Sequence, residues 1–217
     1  ISSSLGISTT YDLLYLDPLA LYASSTGTTQ TTALAIQAAN AKIANLMIGG
    51  TQALLASDSS IDAATASKAI LGNLSTVMHN ANGATVDLSA SGTVDSLLSN
   101  VTVGGTVYYT SSDARSAIAS ANTQADAVTT LDNLYLVQKE VQGLSGNSDA
   151  DFRALNKSVE LAASGIVSMD VEFASSGQYT DKGSFTALTE TPQFKVSLSS
   201  FSRSEEHTSE LQSLRHL

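Results

Sequence analysis

TTALAIQAANAKIANLMIGG, residues 31–50, places Leu34, Ala38, Ala41, Ile43, Leu46 and Met47 on one broad face at the spacing of an α-helix. Much of that face is alanine. Helices lined by alanine approach one another closely and build a core from near-contact of backbones rather than from bulky anchors, which disfavours a deep ligand pocket. Gly49-Gly50 is expected to end or bend the helix, because glycine is the poorest helix former short of proline.

Upstream, Asp17-Pro18 marks the start of a short helical turn: the carboxylate accepts from free amides, and proline at the first helical position gives up an N–H that has no partner there. SSTGTTQ, residues 24–30, reads as a polar linker. Downstream, Ser59 with Asp62 three residues later suggests a capped start, and Ile70, Leu74, Val77 and Ala81 give a second long helix that stops before Asn82-Gly83. Ser89 or Ser91 can cap a short helix with Val94, Leu97, Leu98 and Val101 inward, and Gly104-Gly105 then breaks the chain.

From Ser111, the positions Ala114, Ile118, Ala121, Ala125 and Val128 keep a seven-residue rhythm that continues loosely through Leu131, Leu134, Val137 and Val141. It reads as one long helix ending at Gly143. Ser148 to Asp151 opens a further helix with Phe152, Leu155, Val159 and Ala162 inward, closed by Gly165. Beyond Ile166, VSMDVEF, SFTALT and QFKVSLSSF alternate in the manner of β-strands. The expected fold is therefore mainly α: an Ala-rich antiparallel bundle of about five helices over residues 1–165, followed by a short β-rich segment over 166–202. Residues 203–217, RSEEHTSELQSLRHL, break abruptly with this style, look like a translated sequencing-library adapter, and are left out of the fold reading.

Composition bounds the function. The 217 residues are 42% hydrophobic but 6% aromatic, with no Cys, no Trp and a net charge of −10. Disulfide-stapled and collagen-like classes are excluded. Without the tail's two Arg and three Glu, eight basic residues still face seventeen acidic ones, so the acidity belongs to the body of the chain. Scattered cations in a negative field cannot neutralise a row of phosphates, so nucleic acid is not an expected partner. No apolar run approaches 18 residues, so membrane insertion is not expected either. A start at Ile1 without Met reads as an internal segment of a longer protein.

LGISTTYDLLYLDPLALYA (5–23), TTALAIQAANAKIANLM (31–47), ATVDLSASGTVDSLLSNV (84–101), ARSAIASANTQ (114–124) and LVQKEVQG (136–143) occur in that order. Together they resemble an Ala-rich helical module of very large exported bacterial proteins that carry immunoglobulin-like or hemolysin-type calcium-binding repeats. The similarity covers about residues 5–165, and the segment around Asp17-Pro18-Leu19-Ala20 with its following helix is its most specific part. The resemblance implies a non-catalytic, adhesin-like or biofilm-matrix module, extracellular or at the cell surface. Its expected partners are neighbouring modules of the same chain and cell-surface or matrix components. Calcium would bind elsewhere in the parent chain, since no glycine-and-aspartate nonapeptide repeat stands here.

The residues themselves offer few candidates for chemistry. Asn147, Asp149 and Asp151 have the alternate spacing of a calcium loop, but Phe152 and Ser158 stand where an EF-hand needs Gly and an acid, and helix capping explains the same three residues. Asp170 and Glu172 share one face of an expected strand; they suit either an acid–base pair or its solvated side. His79, the sole His outside the tail, sits where a helix C-terminus favours a partly charged imidazole. Tyr11, Tyr15 and Tyr22 are spaced to share a helical edge, as a contact surface or as core packing.

Motifs for nucleophilic serine, zinc proteolysis, dinucleotide binding and phosphate cradling are all missing from the sequence. No catalytic, cofactor-binding or firm metal-ligating residue is assigned. The expected function is a structural or adhesive spacer that folds without a cofactor. A filament subunit of flagellin-like composition and an extracellular hydrolase are the alternatives.

Overall fold

The computed structural model describes residues 3–7, 11, 15–144 and 148–165. The chain divides into two units, Ile1–Gly165 and Ile166–Leu217, and every described residue belongs to the first. The strands expected over 166–202 and the tail 203–217 lie outside the described residues.

Seven α-helices and one small hairpin make the described part mainly α: α1 Pro18–Ser24, α2 Gly27–Ser57, α3 Ala63–Asn80, α4 Ser91–Leu98, α5 Ser112–Ala127, α6 Leu131–Gln142 and α7 Asp149–Ala163. Strands β1 Val101–Val103 and β2 Thr106–Tyr108 lie between α4 and α5. The caps follow local chemistry. Asp17 Oδ1 accepts from the amides of Leu19 and Ala20 at 2.9 and 3.1 Å, with Pro18 in the first turn. Ser111 and Thr130 accept through their hydroxyls at the starts of α5 and α6. Ser148 and Asp151 form a reciprocal capping box on α7.

Several sequence expectations are corrected. Helix α2 does not stop at Gly49-Gly50 but runs on to Ser57, and it begins inside the expected linker, at Gly27. Both glycines are buried, Gly49 against Ile118 and Gly50 against Leu98 and Ile70, so the weak propensity is offset by close packing of three helices. The cap of α3 is Asp62 rather than Ser59. Neither Ser89 nor Ser91 caps α4, which starts after Ala90 without a side-chain bond.

The long rhythm from Ala114 to Val141 belongs to two helices broken at Val128, with Thr130 capping the second. Three consecutive β-branched residues, Val128, Thr129 and Thr130, disfavour helix there. The hydrophobic rhythm continues across the break because both helices face the same core. Gly104-Gly105 is more than a breaker: with φ of 58° and 89° it forms the two-residue turn of the antiparallel pair in which Val101 faces Tyr108.

Contacts fix the helix directions. Lys42 meets Asp126 and Gly49 lies on Ile118, so α2 and α5 are antiparallel. Thr51 bonds Ser67 at 2.8 Å while Gly50 lies on Ile70, so α2 and α3 are antiparallel too. Asn133 at the start of α6 donates to the Ala163 carbonyl at the end of α7, 3.0 Å away, and makes a third antiparallel pair.

Two main core clusters share α2 and α5. One joins Leu34, Ala38 and Ala41 of α2 to the alanine stripe Ala114, Ala117, Ala121 and Ala125 of α5, and to Val137 and Phe152 of the last two helices. The other gathers Leu46, Leu54, Ile70, Leu74, Leu97 and Ile118, with Val101 and Val103 of the hairpin. A buried Leu or Phe of such a core contributes about 1.5–3 kcal/mol relative to its exposed state.

Candidate functional site

Of the acids singled out by spacing, Asp151 is engaged in capping α7. Asp151 accepts from the Ser148 amide at 3.1 Å and from its hydroxyl at 2.6 Å, while Asp149 is exposed in the first turn of α7. Both carboxylates sit at the positive end of the helix dipole, and Asp151 alone of the two takes part in the capping box. Asn147, the third candidate, lies outside the described residues, as do Asp170 and Glu172. Among the described residues, no three His, Cys, Asp or Glu side chains gather as a metal ion would need.

His79 is in the last turn of α3 and exposed, as a helix-end imidazole is expected to be. It borders an open groove of about 580 Å³ together with Ser3, Ser4, Leu71, Ser75 and Met78. The three tyrosines do not share a helical edge, since Tyr11 and Tyr15 precede α1 in a bend and a turn. Tyr11 packs on Ile7, Ile36 and Ala39, and Tyr22 packs on the larger core, while Tyr15 is 87% exposed.

A polar cluster that sequence reasoning missed stands where α2, α5 and the segment before α4 meet. Lys42 Nζ is 2.8 Å from Asp126 Oδ1, and the Ser89 hydroxyl donates to Asp126 Oδ2 at 2.6 Å, with the Asn122 carbonyl a second acceptor at 3.2 Å. Asn122 Nδ2 in turn donates to the Leu88 carbonyl at 2.8 Å. Lys42 and Asp126 border a second open groove, about 550 Å³, shared with Thr28, Thr31, Thr32 and Val128.

A hydroxyl, a carboxylate and an ammonium converge here as in a hydrolytic site, but the geometry is that of a clamp. The hydroxyl is turned to the carboxylate, and the ammonium holds the same carboxylate rather than the hydroxyl. Residues 84 positions apart make the Lys42–Asp126 pair, so no local motif could have signalled it.

Other charges also join helices. Arg115 Nε bonds Asp95 Oδ1 at 2.6 Å, tying α5 to α4, and the same guanidinium takes the Thr110 carbonyl. Arg153 pairs with Asp113, bringing the start of α7 to the start of α5. Two carboxyls, the partly buried Asp58 and the exposed Asp62, are held below their usual value of 3.8 by hydrogen bonds: Asp58 by the Ser60 hydroxyl and then its amide, Asp62 by the Thr65 amide and then its hydroxyl. Both belong to the turn and cap linking α2 to α3. Among the described residues, no helix is long and apolar enough to cross a membrane.

Comparison with family models, with curated proteins and with solved structures finds no match to this chain.

Proposed function

We propose that this chain supplies a non-catalytic structural module, a helical spacer or adhesive segment of a large exported or cell-surface bacterial protein, with neighbouring modules of that protein and cell-surface or matrix components as its partners. The observation that supports this reading most is how the core closes. Ala38 and Ala41 of α2 join a four-alanine stripe of α5, and glycines press on Ile118 and Leu98 where larger residues would hold the helices apart. The charges described above serve caps and ties between helices, work that keeps a module rigid without a reaction. Net acidity supports the same reading, since like charge keeps tethered modules soluble and apart.

Size-exclusion chromatography with light scattering on the 217-residue chain tests the proposal. A monodisperse monomer over a wide concentration range is the expected result. Polymers that grow with concentration would replace the spacer with a filament subunit.

A further inference from the structure

Asn45 of α2 is 1% exposed and Asn122 of α5 is fully buried. Among the described residues, Asn45 Nδ2 and Asn122 Oδ1 are the buried side-chain polar atoms without a hydrogen-bond partner. One is a donor and the other an acceptor. Asn122 is oriented by its neighbour: the atom facing the Leu88 carbonyl at 2.8 Å must be Nδ2, which leaves Oδ1 as the unused group.

The helix register puts the two residues level. Lys42 pairs with Asp126 and Gly49 packs on Ile118, so each step forward along α2 is matched by about one step back along α5. By that count Asn45 stands across from Asn122. Buried carboxamide groups are costly to leave unsatisfied, and here each has what the other lacks.

We propose that Asn45 and Asn122 form a water-bridged carboxamide pair, Asn45 Nδ2 donating to one internal water that in turn donates to Asn122 Oδ1, and that this pair locks the register of α2 against α5. The seam needs such a device. Ala38 and Ala41 on one helix and Ala117, Ala121 and Ala125 on the other are nearly uniform in shape, so along that stretch of the seam apolar packing distinguishes one register from the next only weakly. A slip of one turn would set Asn122 opposite Ala41 or Gly49, neither of which carries a donor side chain. Ile118 over Gly49 sets the same register by shape; the carboxamides set it by hydrogen bonding. The role resembles that of a single buried asparagine at a helix–helix seam, which trades stability for alignment.

Urea unfolding of the full chain carrying Asn45→Leu, Asn122→Leu and both together tests the pairing. Coupling predicts that Asn45→Leu, a nearly isosteric change, lowers the folding equilibrium constant about tenfold by stranding Asn122 Oδ1, and that the double variant loses less than the product of the two single losses. The proposal is overturned if Asn45→Leu is neutral or stabilising, or if the two effects simply multiply. Asn122→Leu also abandons the Leu88 carbonyl, so should it fail to fold, the wild-type protein decides by NMR. The Asn45 side-chain amide hydrogens should exchange slowly and show contacts to Asn122 or to a long-lived water. Exchange at the rate of an exposed amide would overturn the pairing.

Discussion

A Cβ placed on Gly49 would stand 2.7 Å from Cγ1 of Ile118, closer than real side chains approach, whereas one on Gly50 would meet only the far ends of Leu98 and Ile70 at 2.9 and 3.0 Å. The two neighbouring glycines therefore differ in tolerance. Cγ1 of Ile118 is close to the α5 backbone and can yield little; terminal methyls can turn aside.

Gly49→Ala is expected to lower stability by about 1–2 kcal/mol through overpacking, net of the helix propensity that alanine adds. Gly50→Ala should cost less. Gly72→Ala, on an exposed stretch of α3 with open space around it, should raise stability by about 0.5–1 kcal/mol. Urea denaturation of the three variants measures the order. A finding that all three stabilise alike would mean that the glycine pair is not a packing contact.

At the hairpin the constraint is backbone conformation rather than space, since nothing lies within 4 Å of a Cβ at Gly104 or Gly105 while their φ values are 58° and 89°. Gly104→Asn should be nearly neutral, because asparagine tolerates the left-handed region. Gly104→Val should cost about 1–2 kcal/mol by the same denaturation measurement.

Acid should weaken the α2–α3 junction. Hydrogen bonds from Ser60 and Thr65 hold the carboxyls of Asp58 and Asp62 below their usual value, so the folded state binds these two protons less readily than the unfolded chain does. Their contribution is fully present above the ordinary carboxylate range, and it fades as pH falls through the lowered folded values. The thermal midpoint should hold steady down to about pH 5 and drop below about pH 4. The double variant Asp58→Asn with Asp62→Asn should lose part of that drop. An unchanged profile would remove these two groups from the pH response.

The Lys42–Asp126–Ser89 clamp separates charge from hydrogen bonding. Asp126→Asn keeps an acceptor for Ser89 but loses the ion pair; Lys42 is 14% exposed and Asp126 45%, so the loss should be below about 1 kcal/mol. Asp126→Ala also strands the hydroxyl and should cost about 1 kcal/mol more. Thermal unfolding of both variants gives the difference.

Calorimetric titration with calcium at millimolar concentration is expected to give no binding heat, because Asp151 is held by Ser148 at the cap of α7. Asp151→Ala should lower stability by about 1 kcal/mol whether or not calcium is present. A saturable heat that disappears in this variant would restore the calcium-loop reading.

Helix identity was legible in the chain because its signals are local. Asp17-Pro18 and the Ser148–Asp151 box act within one turn, and Ile70 with Leu74 or Val137 with Val141 show which face is buried at a spacing of four. The same local rules allowed Gly49-Gly50 to be an end or a bend, where the helix in fact runs on, and they missed the break at Val128. In the first case, side chains of Ile118, Leu98 and Ile70 override propensity; in the second, both helices present one continuous apolar face to a shared core. For the clamp, Lys42 and Asp126 gave no sign at all. Capping and periodicity are energies between residues a few positions apart and can be read along the chain. The packing of one alanine-lined helix on another is an energy between distant surfaces, and it acquires a value only once folding brings them together.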